Sequence, residues 1–167
     1  MTYNARMTKK AEFLFLLFAL SAAVFAQAQS EYEDFWISLN GDGSLYSAEG
    51  LAFGGGLSVG YGSGSSIGIK AAWYLNAENV NIFELNLIVR FYLQGPQEYS
   101  GPFLQFMGGP VFFGMGKAAI PAEVGTISAG VGFGWRFLFF DRLFAEPSIR
   151  AGYPYIIAAG ISAGVRF

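Results

Sequence analysis

Seven charged side chains lie at positions where β-strands would carry them opposite their bulky apolar residues. They are Lys70, Glu84, Arg90, Arg136, Glu146, Arg150 and Arg166. Such a face favours ion pairing, because a buried charge without a partner is prohibitively costly. If residues 140–142 form a three-residue link, Arg136 and Glu146 lie directly opposite each other on neighbouring strands. Arg150 and Arg166 are then expected close enough to share the carboxylate of Glu146.

Two interpretations of this charged face remain open. In the first, the charges only fill and lock the interior of the protein. In the second, they line a gated pathway of low conductance for small solutes. Both interpretations require a fold that turns these charges inward.

Enzymatic chemistry finds little support in the composition. The chain contains no His and no Cys, which removes Ser–His and Cys–His nucleophile pairs and the usual zinc ligand sets. Carboxylate or Ser–Lys chemistry stays formally open, but we predict no catalytic residue, metal site or cofactor. After residue 28 the chain keeps seven Lys and Arg against eleven Asp and Glu, a net charge of −4. That balance argues against nucleic acid as a partner.

The elements that position these charges are eight segments in which apolar residues alternate with small or polar ones. They span residues 35–40, 51–62, 67–76, 81–93, 102–114, 126–139, 143–153 and 157–167. In the sixth segment Val131, Phe133 and Trp135 share one face, whereas Gly132 and Gly134 share the other. A period of two is typical of β-strands. We therefore predict an all-β protein, an eight-stranded antiparallel up-and-down transmembrane β-barrel.

The composition of the two strand faces predicts which one points outward. A soluble lipid-binding barrel would carry bulky apolar residues inside and many Lys, Glu and Thr outside. Here the polar face is mostly Gly, Ser and Ala, which suit the cramped interior of an eight-stranded barrel. Hydrophobic residues make up 53% of the chain and charged residues only 13%, against about a quarter charged in soluble domains. The bulky face is therefore expected in lipid.

The N-terminal residues predict export. Lys9 and Lys10 precede an apolar run over residues 13–25, and Ala26-Gln-Ala28 fits the small-x-small cleavage pattern. The run is too short to span a bilayer comfortably. We expect residues 1–28 to be a cleaved signal peptide, residues 29–34 a short periplasmic segment and residues 35–167 the barrel.

The C-terminal strand carries the lipid-facing row Ile161, Ala163, Val165 and Phe167. The strand pattern, the length and the end Gly164-Val-Arg-Phe167 resemble those of the small eight-stranded outer-membrane barrels, the group of the OmpA-like transmembrane domain, OmpX and the opacity proteins. The resemblance implies a bacterial outer-membrane location, and a barrel-assembly machinery that recognises the row as an assembly signal. It also implies a monomer surrounded by outer-membrane lipid.

The connections between strands lead to two hypotheses for function. Connections over residues 41–50 and 115–125 are the longest and are expected on the outer side, where such barrels carry long loops. The first hypothesis is a structural or surface-interaction role through these loops. Its candidate residues are Asp42, Tyr46, Glu49, Lys117 and Glu123. The alternative is a narrow, low-conductance channel through the charged interior.

Two prolines interrupt otherwise regular strands. Pro110 lies in the fifth segment and Pro147 in the seventh. Because proline removes a donor from the ladder, we predict a β-bulge at each position.

Overall fold

The computed structural model describes most of the chain after residue 34. The described residues are 35–62, 64–77, 80–94, 100–115 and 124–167. The predicted signal peptide and the segment 29–34 lie outside them, as do Lys117 and Glu123. Within the described residues no helix has the length and the hydropathy to cross a bilayer.

Eight antiparallel strands form a closed barrel. The strands are β1 (Phe35–Tyr46), β2 (Gly50–Gly62), β3 (Ser65–Asn76), β4 (Val80–Tyr92), β5 (Gly101–Met115), β6 (Val124–Phe139), β7 (Leu143–Tyr153) and β8 (Tyr155–Arg166). Each strand pairs with its neighbour in the chain, and β1 also pairs with β8, which closes the sheet. The predicted all-β, eight-stranded, up-and-down architecture is confirmed. We call the end of the barrel that holds Phe35 and Phe167 the terminal rim, and the opposite end the far rim.

The alternating pattern of the sequence separates the two faces of the barrel wall. Val131 and Phe133 are 46% and 45% exposed on the outside, whereas Ser128, on the opposite face of the same strand, is 1% exposed. Glycines on the inner face make room for large side chains. A Cβ added to Gly60 would lie 2.3 Å from Cζ2 of Trp36. The lumen is therefore packed with side chains, as expected for eight strands.

The first strand is longer than predicted. It was expected to end at residue 40, yet it continues to Tyr46, and the turn to β2 occupies only residues 47–49. Gly41-Asp42-Gly43 has the composition of a turn, but pairing on both sides holds it extended: Asp42 lies opposite Gly54 on β2 and opposite Gly160 on β8. Tertiary pairing overrides local turn preference here.

The two prolines behave differently. Next to Pro110, the register between β5 and β6 shifts between Val111 and Phe112, as the proline predicted. The predicted bulge at Pro147 is wrong, because Pro147 pairs in register with Ile161. The missing N–H costs the ladder a donor without inserting a residue.

Candidate functional site: the charged lumen

The lumen charges fall into two clusters at different heights in the barrel. The terminal cluster contains Arg90, Arg136 and Glu146. The far cluster contains Asp42, Lys70, Glu84 and Arg150. All seven side chains are at most 7% exposed, so each depends on its neighbours for hydrogen bonds and opposite charge.

The terminal cluster is built around the carboxylate of Glu146. Nε of Arg136 lies 2.5 Å from Oε1 of Glu146, and Nη1 of Arg90 lies 2.9 Å from Oε2. The register pairs Gly134–Ser148 and Phe137–Ala145 flank the first contact, and both are symmetric about residue 141. Arg136 and Glu146 therefore face each other across β6 and β7, while Arg90 reaches the same carboxylate from β4.

Aromatic rings surround the two guanidinium groups of the terminal cluster. Cζ of Arg90 lies 4.7 Å from the ring centroid of Trp36 and 5.1 Å from that of Phe103. Cζ of Arg136 lies 4.2 Å from the centroid of Phe144 and 4.8 Å from that of Tyr92. Two cations share one carboxylate, so the cluster carries one excess positive charge. The ring faces offset part of that excess through cation–π attraction.

The ion pairs of the far cluster balance two cations against two carboxylates. Lys70 pairs with Asp42, and Nη2 of Arg150 lies 3.7 Å from Oδ2 of the same carboxylate. Nη1 of Arg150 lies 4.0 Å from Oε2 of Glu84. These contacts join β1, β3, β4 and β7 across the interior.

Tyrosine hydroxyls complete the far cluster. Tyr46 donates to Oε1 of Glu84 at 2.6 Å, and Tyr74 donates to Oδ2 of Asp42 at 3.1 Å. Nη2 of Arg150 in turn donates to the Tyr74 hydroxyl at 2.7 Å. Charge-assisted hydrogen bonds of this kind are among the stronger polar contacts, so the far cluster forms a cross-braced layer.

A belt of uncharged polar side chains lies between the two clusters. Nδ2 of Asn40 donates to Ser58 at 2.8 Å, and Ser162 donates to Oδ1 of Asn40 at 2.6 Å. On the other side of the lumen, Ser128 donates to Oδ1 of Asn86 at 2.5 Å, and Asn86 donates to Glu84 at 3.0 Å. Charge clusters and belt together fill the interior in successive layers.

Two predicted loop residues belong to this interior. Asp42 and Tyr46 were expected on the outer loops, but both lie on β1 and turn into the lumen, where they contact Lys70 and Glu84. Strand parity could have shown this, because both numbers are even, like that of the buried Trp36. Only Glu49, of the described candidates, lies in a far-rim turn.

The predicted sharing of Glu146 with Arg150 and Arg166 is wrong. Arg150 belongs to the far cluster, and Nε of Arg166 donates to the backbone carbonyl of Asp141 at the terminal rim, at 2.7 Å. Position 150 lies four residues from Glu146 along β7. Position 166 lies four residues from Ser162, the partner of Glu146 on β8. Four residues of strand separate positions by about 13 Å.

The C-terminal row closes the barrel at the seam between β8 and β1. Ile161 and Phe167 are 58% and 67% exposed on the outer wall, which Ala163 and Val165 also face. The N–H of Phe167 donates to the carbonyl of Phe35 at 2.8 Å, and the two rings lie 6.2 Å apart. The last residue of the chain is thus fixed to the first described strand.

The carboxylates of the lumen are engaged in ion pairs. In the part of the chain that the structure describes, no set of three or more His, Cys, Asp or Glu is placed to hold a metal ion. Each of the three lumen carboxylates contacts a cation. These ion pairs connect non-adjacent strands through the interior of the barrel.

The outer wall is apolar all the way round the barrel. Each of the eight strands carries large hydrophobic side chains on its outer face that are at least 36% exposed. A continuous apolar surface of this extent is far beyond the patches that soluble monomers expose, and it is what a barrel presents to lipid. The wall and the polar lumen together define a transmembrane barrel.

Comparisons with known proteins agree with this architecture. No protein-family model and no curated protein matches the sequence. The structure is similar to the N-terminal β-barrel domain of OprF from Pseudomonas aeruginosa, with 21% identity and a TM-score of 0.51 over 79% of this chain and 97% of that one. It is also similar to Neisserial surface protein A, with 15% identity and a TM-score of 0.60 over 80% and 95%.

A third similar structure was determined in a phospholipid bilayer. It is the Yersinia pestis outer membrane protein Ail in a nanodisc, with 13% identity and a TM-score of 0.54 over 81% of this chain and 100% of that one. At these identities the likeness concerns the fold. The resemblance to small eight-stranded outer-membrane barrels is confirmed at that level.

Proposed function

We propose that this protein is a bacterial outer-membrane barrel with a structural or surface-interaction role through its far-rim connections. In this proposal residues 1–28 direct export and are removed, and residues 35–167 insert into the outer membrane as a monomer. The barrel-assembly machinery reads the row that ends at Phe167. The apolar outer wall and the fold likeness support the location, and the absence of His and Cys supports a non-enzymatic role.

The observation that carries the proposal is the filled lumen. Arg90 and Arg136 close on Glu146 in one layer, and Lys70 and Arg150 close on Asp42 in another. Breaking a buried pair by removing one partner typically costs about 3–5 kcal/mol, so spontaneous opening of both layers is rare. A barrel that is closed at two heights acts through its surfaces.

The far-rim connections supply the surface for such a role. They comprise residues 47–49, 77–79, 116–123 and 154, with charged side chains at Glu49, Glu78, Lys117 and Glu123. Three acidic side chains and one basic side chain suit contacts with a polar or charged partner at the cell surface.

Labelling of intact cells tests the orientation that the proposal requires. The chain has no Cys, so a single Lys117→Cys variant reports one site to a membrane-impermeant maleimide. We expect label on intact cells, because the 116–123 connection would face outward. The control is Arg142→Cys at the terminal rim, expected to react only after the outer membrane is permeabilised. The reverse pattern would contradict the proposal.

A second candidate function is a narrow, gated channel. The terminal cluster favours it, because one carboxylate restrains two guanidinium groups and carries an excess positive charge. Movement of Glu146 alone would release both cations. Such a device could open a path for small anions, provided that the far cluster opened as well.

A further inference from the structure

The turn between β6 and β7 exposes an aromatic side chain in an unfavourable backbone conformation. Phe140 is 89% exposed, more than any other large hydrophobic residue among the described positions. Its φ is 52°, and that of Asp141 is 60°. The N–H of Arg142 donates to the carbonyl of Phe139 at 3.4 Å and closes the turn.

The turn itself does not call for phenylalanine. Tight turns with left-handed φ at two successive residues favour Asn and Gly, because a bulky side chain is strained there. Phe140 therefore carries both a backbone strain and an exposed ring. Asn or Gly at this position would remove the backbone strain. The presence of Phe therefore points to a role for its side chain outside the turn.

The height of Phe140 on the barrel shows what the ring would meet. The lipid-facing row of β6 runs from Ile127 to Phe139. At about 3.4 Å per residue and a tilt of about 45°, that row rises about 29 Å, whereas the apolar band of such barrels is about 25 Å tall. If the row begins at the opposite edge of that band, Phe139 reaches the edge of the hydrocarbon near the terminal rim, and Phe140 lies in the layer of lipid headgroups.

The residues around Phe140 fit a phospholipid surface. Arg142 is exposed, and within the described residues its guanidinium has no ion-pair partner. The Asp141 carbonyl accepts a hydrogen bond from Nε of Arg166 at 2.7 Å, which fixes the turn against β8. We propose that this turn docks on the headgroup layer at the terminal rim. Phe140 inserts at the interface, where aromatic rings are favoured, and Arg142 binds lipid phosphate.

Depth measurements on single cysteines test the docking. The purified protein carries Phe140→Cys or, as the adjacent control, Asp141→Cys, each with a nitroxide label in phosphatidylcholine vesicles. We expect the label at 140 to be more accessible to oxygen and less accessible to a water-soluble nickel chelate than the label at 141. Equal, aqueous accessibility at both positions would overturn the proposal. Protection of position 140 only after periplasmic protein is added would also overturn it, in favour of a protein partner.

A substitution that removes the backbone strain at position 140 distinguishes membrane anchoring by the ring from the effect of turn geometry on stability. Phe140→Gly accepts the left-handed φ without strain, so its urea midpoint in detergent micelles should be at or above that of the parent. In phosphatidylcholine vesicles we expect a lower midpoint, because the interfacial anchor is gone. Phe140→Trp keeps an interfacial ring and should retain the parent midpoint in vesicles. If Phe140→Gly raised the urea midpoint equally in micelles and in vesicles, the ring would not anchor the turn to the membrane.

Discussion

Nε of Arg136 lies 2.5 Å from the carboxylate of Glu146, across the pair of strands β6 and β7. A second guanidinium, that of Arg90, binds the other oxygen of the same carboxylate. One side chain therefore holds together three strands near the terminal rim. Its removal leaves two buried cations without an anion, so the predicted effects of changing this pair are large.

A double-mutant cycle measures the pair directly. Glu146→Ala and Arg136→Ala should each lower the free energy of unfolding by about 3–5 kcal/mol, as expected for breaking a buried pair. The double variant should lose less than the sum of the two, because the residues interact. As a matched control, Glu146→Ala combined with Arg150→Ala should be additive, since the two lie in different clusters. Additivity in the first cycle would show that Arg136 and Glu146 do not interact.

Conductance of single variants distinguishes the two candidate functions. We expect Glu146→Gln in planar bilayers to conduct no more than the parent protein, because the far cluster still fills the lumen. Combining it with Asp42→Asn weakens both layers and should raise the conductance. A rise with Glu146→Gln alone would favour the channel, with the terminal cluster as its gate. Both variants must first migrate as folded barrels in unheated gels.

Replacing a lumen glycine by alanine should destabilise the barrel wherever a large side chain packs against that glycine. In Gly60→Ala the added Cβ would lie 2.3 Å from the Trp36 ring, and overpacking of this kind typically costs about 1–3 kcal/mol. Gly41→Ala is the control, because a Cβ there meets no atom within 4 Å. Urea unfolding in micelles should show a loss at position 60 and none at 41. Equal stability of the two variants would contradict the tight packing of the lumen.

Comparing deletion of Phe167 with loss of its ring contact distinguishes a role in barrel assembly from a role in packing. The deletion should lower the outer-membrane level of the protein more than its export, because the lipid-facing row loses its terminal aromatic residue. Phe35→Ala removes the same ring contact but leaves the row intact, so it should assemble better than the deletion. The measurement is fractionation followed by quantitative blotting. Equal outer-membrane levels of deletion and parent would refute the signal role.

Much of the barrel could be predicted from periodicity alone. The bounds of β7 are those expected from its alternation, and the contact between Arg136 and Glu146 follows from a three-residue link centred on residue 141. Both results depend only on strand parity and on hairpin geometry, which are local properties. Hairpin neighbours are therefore predictable wherever the link is short.

Contacts across the lumen could not be predicted in the same way. Arg90 reaches Glu146 from β4, which is no neighbour of β7 in the sheet, so no hairpin register relates the two. Asp42 was misplaced for a different reason. Its flanking glycines resemble a turn, and only pairing with β2 and β8 keeps the segment extended. Barrel closure is a global property, and the separate segments do not encode it locally.

Folding of the purified protein in the presence and absence of amphiphile tests most directly whether the bulky strand face belongs in lipid. We expect residues 29–167 to fold only in detergent micelles or lipid vesicles, with a β-type circular dichroism spectrum. We also expect a band that migrates faster in an unheated gel than after boiling. A folded, monodisperse protein in detergent-free buffer would contradict the account and indicate a soluble barrel with its bulky face inside.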